Sequence, residues 1–345
     1  MVHWMLQFDM RAPAWGTPIE DLYSTALEMS TWADKLGCPE ITVAEHHASE
    51  DRFLPSPMVF ASAIGAVTKR AKISVGCLLL PLHHPARIAE DINIADIISG
   101  GRIQITAGVG YVPHEFKMYG YDMKNRGKLM DEKLPLFLAA LRGDEFEYLG
   151  TKMRVTPPSL QSPRVPVLGG GGVRSSALRA ARYCDGFYLT PQETDLIDVY
   201  KAECARLGRP VGPIERCNFP YFIYVTDDPE RAWAKVGPHI LHEQNMYGKI
   251  ADTGGANTGY QGRAADLTEI SQVRDNPLYS IVTPDEAIKI CNSQGPHDRL
   301  RMKALIGGLS PDVAWESLEL FASKVLPHIK LAPPLEIPIL PVLAG

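Results

Sequence analysis

The sequence predicts an α/β protein of the (β/α)8 TIM-barrel class. Short apolar runs recur along the chain without polar alternation, the mark of strands buried on both faces of a parallel sheet. Each run is followed by a segment with helical spacing, and there are eight such pairs, which favours closure into a barrel over an open sheet. The 345 residues leave room for insertions around a barrel of roughly 250.

Val2 to Phe8 reads as the first strand; Pro13, Gly16 and Pro18 mark a loop, and Ile19 to Leu36 a helix ended by Gly37. Glu40 to Ala44 is strand two, and Pro57 to Lys69 a helix of small residues. Lys72 to Leu80 is strand three, and its helix, Pro85 to Ile98, carries Pro in the first turn. Arg102 to Ala107 with Leu129 to Leu141 is the fourth pair. After an excursion from Tyr148 to Pro163, Val165 to Leu168 with Ser175 to Tyr183 is the fifth. Gly186 to Leu189 with Asp195 to Leu207, Asn218 to Val225 with Pro229 to Ile240, and Met302 to Ile306 with Val313 to Val325 complete the eight. Residues 1–330 are expected to form one domain, with the Gly-, Asn- and Gln-rich segment 241–280 inserted before strand eight as a lid. The Pro-rich, apolar tail 331–345 is expected to wrap the surface or a partner subunit.

The net charge of −5, without a basic block, argues against nucleic acid or an anionic membrane as the main partner. The six cysteines are scattered and form no C-x-x-C pair, so they read as reduced thiols in a cytoplasmic protein. No signal-peptide pattern opens the chain and no apolar run reaches membrane-spanning length.

Active sites of such barrels lie at the C-terminal strand ends. Strand two ends there in Glu45-His46-His47, where adjacent histidines of an extended chain point to opposite faces and at most one enters a given site. Strand three ends in His83-His84 and strand four in Gly108-Val109-Gly110. A metal site is one reading of the four histidines. Barrel zinc sites, however, present H-x-H from one strand so that both ligands face inward, and these pairs are contiguous; loop histidines bonded to backbone are the other reading. After strand five comes Gly169-Gly170-Gly171-Gly172-Val173-Arg174-Ser175-Ser176. A glycine run entering a helix N-terminus, with hydroxyls and a guanidinium beside it, suits a phosphate, although a tight strand–helix turn has the same appearance. The Gly-Lys-Ser/Thr of a P-loop and the third glycine of a dinucleotide fingerprint are both missing. A phosphorylated small molecule and proton transfer are as far as these residues reach.

Ala44 to His47, Val75 to Tyr111, His114 to Glu132, Pro166 to Phe187 and, late in the chain, Ile281 to Ile288 together resemble, in order, the luciferase-like flavin-dependent monooxygenases, the bacterial luciferase family. The resemblance implies a TIM barrel that binds FMN in its reduced form, FMNH2, at the strand ends. A separate NAD(P)H:flavin reductase would supply FMNH2, and a flavin C4a-hydroperoxide formed with O2 would oxygenate a small, hydrophobic organic substrate. It assigns His46 as the catalytic acid/base, with Glu45 orienting its neighbours. Leu78 and Leu79 match the place of a non-prolyl cis peptide under the flavin ring. Gly170, Gly171, Gly172, Arg174, Ser175 and Ser176 match the flavin phosphate loop. Gly108 and Val109 stand where luciferase has Cys and Arg; Gly108 is still counted beside the cofactor, and the departure points to a monooxygenase relative and away from light emission. The resemblance also implies a homodimer packed through the helices after strands two and three. F420-dependent hydride transfer on the same fold, a non-catalytic flavin binder and a metal hydrolase are the alternatives, and no metal is expected.

Overall fold

The computed structural model describes residues 1–189, 195–216, 220–254, 266–295, 298–332 and 336–340, with only the backbone of residue 216 and of residues 250–254. In chain order its elements begin with β1 (Trp4–Phe8), α1 (Ile19–Lys35), β2 (Glu40–Val43), α2 (Pro57–Val67), β3 (Lys72–Leu79), α3 (Pro85–Ser99), β4 (Ile103–Gly108), α4 (Pro113–Met118) and α5 (Arg126–Arg142). Next come β5 (Phe146–Tyr148), β6 (Thr151–Met153), β7 (Val167–Gly171), α6 (Arg174–Tyr183), β8 (Gly186–Leu189), α7 (Leu196–Arg206) and β9 (Ile214–Arg216). The chain closes with β10 (Phe222–Val225), α8 (Pro229–Gly254), α9 (Ser271–Arg274), β11 (Tyr279–Val282), α10 (Pro284–Asn292), β12 (Leu300–Met302) and α11 (Pro311–Leu320). These fall into two compact units: Met1–Thr42, His46–Pro55 and Arg216–Pro334 in the first, Val43–Glu45, Ser56–Glu215 and Leu335–Gly345 in the second.

In the second unit β3, β4, β7 and β8 are parallel neighbours, and β9, which the apolar pattern does not reveal, follows β8. Ile73, Val75, Ile105, Val167 and Leu168 are buried, as expected of a sheet covered on both faces. Gly65 in α2 lets that helix approach the end of α3, since a Cβ there would lie 2.9 Å from that of Ser99. Arg102 is buried where these elements meet and donates to the carbonyls of Gly65, Thr68, Ala71 and Ser99. The excursion after α5 is the antiparallel hairpin β5–β6. The tail packs on this unit: the Leu340 amide donates to Asp185 at 2.8 Å.

In the first unit β1 pairs in parallel with β12, and β10 with β11. The last expected strand, Met302 to Ile306, is displaced, because the strand is Leu300–Met302 and Ile306–Gly308 is a turn with left-handed backbone at Gly307 (φ 54°). Arg299, Arg301 and Lys303 alternate with the apolar strand residues and are themselves buried, so a search for apolar runs passes over the strand. Of the expected seventh strand, Asn218 to Val225, the part Phe222–Val225 is strand, and residues 218–219 lie outside the described residues. Helix α8 continues well beyond Ile240, burying Glu243, Gln244 and Tyr247, so the beginning of the expected 241–280 insertion is helix; its segment 255–265 lies outside the described residues. Among the described residues no helix is long and apolar enough to cross a membrane.

Candidate active site

The glycine run leads out of β7 into α6. A Cβ at Gly169 would lie 2.7 Å from that of Ala180, one at Gly170 would lie 2.9 Å from both Cys77 Sγ and Thr106 Cγ2, and one at Gly171 would lie 2.6 Å from Ser176 Oγ. Three of the glycines are therefore required by the protein's own packing, before any ligand is considered. The Ser176 hydroxyl belongs to the same turn, donating to the Val173 carbonyl at 2.5 Å and accepting from the Val173 amide at 3.2 Å. Ser176 thus shapes the loop, while Arg174 and Ser175 stand exposed on the first turn of α6, where helix N–H groups lack intrahelical acceptors and the dipole favours an anion. That donor set fits the phosphate of FMN. Gly171→Ala is expected to cost about 1–3 kcal/mol, because the new methyl overlaps Ser176 and Gly171 has a φ of 153°; denaturant unfolding reads the loss.

At the end of β3 the non-prolyl cis peptide is Gly76–Cys77, not the expected Leu78–Leu79. The ladder to β4 slips between Gly76 and Leu78, leaving Cys77 out of register. Its side chain takes the space over Gly108 and Gly170, its Sγ lying 3.2 Å from where a Cβ on Gly108 would be. Gly108 is thus a seat for Cys77. The buried carboxylate of Glu45 accepts from the Leu79 amide at 2.6 Å and meets His83 Nε2 at 2.7 Å, which fixes the turn after β3. Lys133, also buried, supports that turn by donating to the Pro81 carbonyl at 2.6 Å. Leu79 packs with Leu82 and Phe116, and the ring of His84, the residue before α3, lies against Tyr148. Among the described residues no group of His, Cys, Asp and Glu is placed to hold a metal ion.

His46 and His47 belong to the first unit and are both buried. The His46 amide donates to the Leu54 carbonyl at 3.1 Å, and its ring meets Phe53 edge-on at 4.6 Å and Tyr247 of α8 at 6.2 Å. Beside these rings is a buried ionic cluster that apolar-run reading misses. Arg11 is bonded to Asp51, which also meets His242 Nε2 at 3.0 Å; Lys303 is bonded to Glu243 and lies 3.3 Å from Asp9. Asp9, Arg11 and Lys303 directly follow β1 and β12, so charge at a strand's C-terminal end was the signal available in the sequence. Burial alone would raise the Asp51 carboxyl, but His242, Arg11 and Ser49 outweigh it and hold the group well below the usual range. With its folded value below the unfolded one of about 4, Asp51 contributes stability above that pH and loses it as pH falls toward the folded value. Asp51→Asn should therefore flatten the acid limb of a stability–pH curve measured by denaturant unfolding.

The parallel strands and their covering helices are those of an α/β-barrel protein, and the family makes it an oxidoreductase. The chain belongs to the luciferase-like monooxygenase family, whose profile matches residues 1–290. It is 24% identical over 324 residues to a 4-hydroxyprotoasukamycin monooxygenase of Streptomyces nodosus subsp. asukaensis, covering 88% of this chain and 85% of the other. It is 26% identical over 321 residues to a limonene 1,2-monooxygenase of Rhodococcus erythropolis, covering 88% and 80%. The oxygenating constituent of 3,6-diketocamphane monooxygenase from Pseudomonas putida, a type II Baeyer–Villiger enzyme solved with FMN, superposes with a TM-score of 0.70 at 19% identity, covering 96% of this chain and all of that one. An F420-dependent secondary alcohol dehydrogenase superposes at 0.68 and 15% identity, covering 96% and 100%. Both structures carry the (β/α)8 likeness across nearly the whole chain.

Proposed function

We propose that the protein is the oxygenating component of a two-component flavin monooxygenase. It uses reduced FMN from a separate NAD(P)H:flavin reductase, and O2, to place one oxygen atom in a small hydrophobic substrate. The observation that carries this is the exposed Arg174 and Ser175 pair on the first turn of α6, a donor set for one phosphate in a chain of this family. Reduced flavin supplies the two electrons that let one atom of O2 enter the substrate while the other leaves as water. Arg174, Ser175 and the amides of the loop through Gly170, Gly171 and Gly172 hold the phosphate. The backbone at Leu78 and Leu79, fixed by Glu45, supports the ring system. His46 moves the proton, its imidazole kept in a dry setting by Phe53 and Tyr247. The limonene and diketocamphane relatives favour an apolar substrate with a ring or double bond.

The likeness to the F420-dependent dehydrogenase favours a second reading, hydride transfer with deazaflavin. Anaerobic titration with FMNH2 and with reduced F420, followed by O2, separates the two. Binding of FMNH2 with substrate-dependent oxygen uptake is the expected result. Preference for F420 supports the second reading, and FMNH2 binding without uptake leaves a flavin carrier. Val59 on α2 with Ile94, Ile97 and Ile98 on α3 are exposed apolar residues, which support a homodimer. Ile98→Asp is expected to shift the mass in light scattering from dimer to monomer.

A further inference from the structure

Arg11, Asp51 and His242 all bear on the surroundings of His46. The Arg11 guanidinium is fully buried and lies 4.4 Å from the centre of Phe53 and 4.6 Å from that of Tyr247, two rings that meet each other edge-on at 6.4 Å. Those are the two rings that meet His46. One arm of Arg11 is bonded to Asp51, while Nε and the other arm have no hydrogen-bond partner among the described residues. Asp51 in turn takes the Ser49 hydroxyl and His242 Nε2, and His242 and Tyr247 belong to the same helix, α8. The loop is tied down along its length: Ala12 donates to the Asp51 carbonyl at 2.7 Å, and Leu54 to that of Asp9 at 3.2 Å.

Stability is a poor reason for this arrangement. A buried ion pair with unmet donors is commonly replaced by apolar residues at little cost or with a gain. What an apolar core would not supply is a charged, planar group held against both rings at the corner they form. A guanidinium over an aromatic face restricts the ring's tilt and displacement, the more so when desolvated.

We propose that Asp51, Arg11 and His242 form a positioning relay that fixes the His46 imidazole through Phe53 and Tyr247. Its bearing on catalysis rests on reading His46 as the proton-transferring residue. His242 and Asp51 set Arg11, and Arg11 sets the two rings.

The test is made first on the protein without flavin, by NMR of the histidine ring nitrogens, with His46 assigned from His46→Gln. Asp51→Asn and Arg11→Met are expected to broaden or split the His46 ring signal, and Arg11→Lys to restore it in part. Turnover with FMNH2 should fall on the order of tenfold to 100-fold at unchanged KM, as misplacement of a catalytic group does. An unchanged His46 signal in a variant whose methyl spectrum is native overturns the relay. Should Asp51→Asn not fold, His242→Gln, at the less buried end, takes the same test with the same two outcomes. Displacement of His46 in a protein that binds no reduced flavin supports the relay and overturns only the flavin reading.

Discussion

His46→Ala, supplied with FMNH2 and a panel of terpenes, cyclic ketones and aldehydes, should lose about 100- to 10,000-fold in substrate-dependent oxygen uptake, the range for removal of a positioned acid/base. The bond from the His46 amide to the Leu54 carbonyl, which ties this residue into its loop, persists in alanine, so the loop should keep its fold. FMN affinity should stay close to that of the parent, since Arg174 and Ser175 are untouched. His46→Gln separates two roles of the imidazole. A hydrogen bond alone would be partly restored by the amide, whereas proton transfer would not. Full turnover in either variant rules out the acid/base assignment. Oxidation of NAD(P)H by an added reductase, measured against product formed, adds a second reading: a variant unable to complete oxygen transfer consumes reductant without yielding product.

Features that depend on uniform burial were legible in the sequence. Strands such as Phe222–Val225 are continuous apolar runs because every residue in them is buried, and Gly169 to Gly172 announce a tight strand–helix turn. Where burial and polarity part company the pattern fails. β12 holds a buried Arg301, and the amino-acid alphabet gives no sign that Arg301 would lie 5.0 Å over the Tyr221 ring. The Glu45–His46–His47 stretch was legible as chemistry but not as geometry. Glu45 reaches forward 34 residues to the Leu79 amide, and only the folded chain shows it. The same holds for Ser176, which as a residue type is a phosphate donor and in place is a clamp on Val173. Arg11 was passed over because a loop arginine is ordinarily solvated; here the rings of Phe53 and Tyr247 take the place of water.

Asp185→Asn should be among the most destabilising single changes in the second unit, costing about 3–5 kcal/mol. Both carboxylate oxygens are in use: Oδ2 takes Arg164 at 2.6 Å and the Val167 amide at 2.8 Å, while Oδ1 takes the other arm of Arg164 at 2.8 Å and the Leu340 amide at 2.8 Å. Asparagine offers one acceptor where there were two and turns an N–H2 toward donors, so at least one arm of a fully buried guanidinium loses its partner without water to replace it. The double variant Arg164→Met with Asp185→Leu removes both charges and should cost less than Asp185→Asn alone, because an apolar pair of similar size carries no desolvated cation. Denaturant unfolding of the three proteins decides this. If the double variant is the least stable, the pair is a net source of stability and the argument from desolvation is wrong for this site. The consequence reaches the glycine loop proposed to hold the flavin phosphate, because the amide held by Asp185 opens β7, the strand that delivers Gly171 to the start of α6. FMN affinity should therefore fall in Asp185→Asn even under conditions where the protein remains folded.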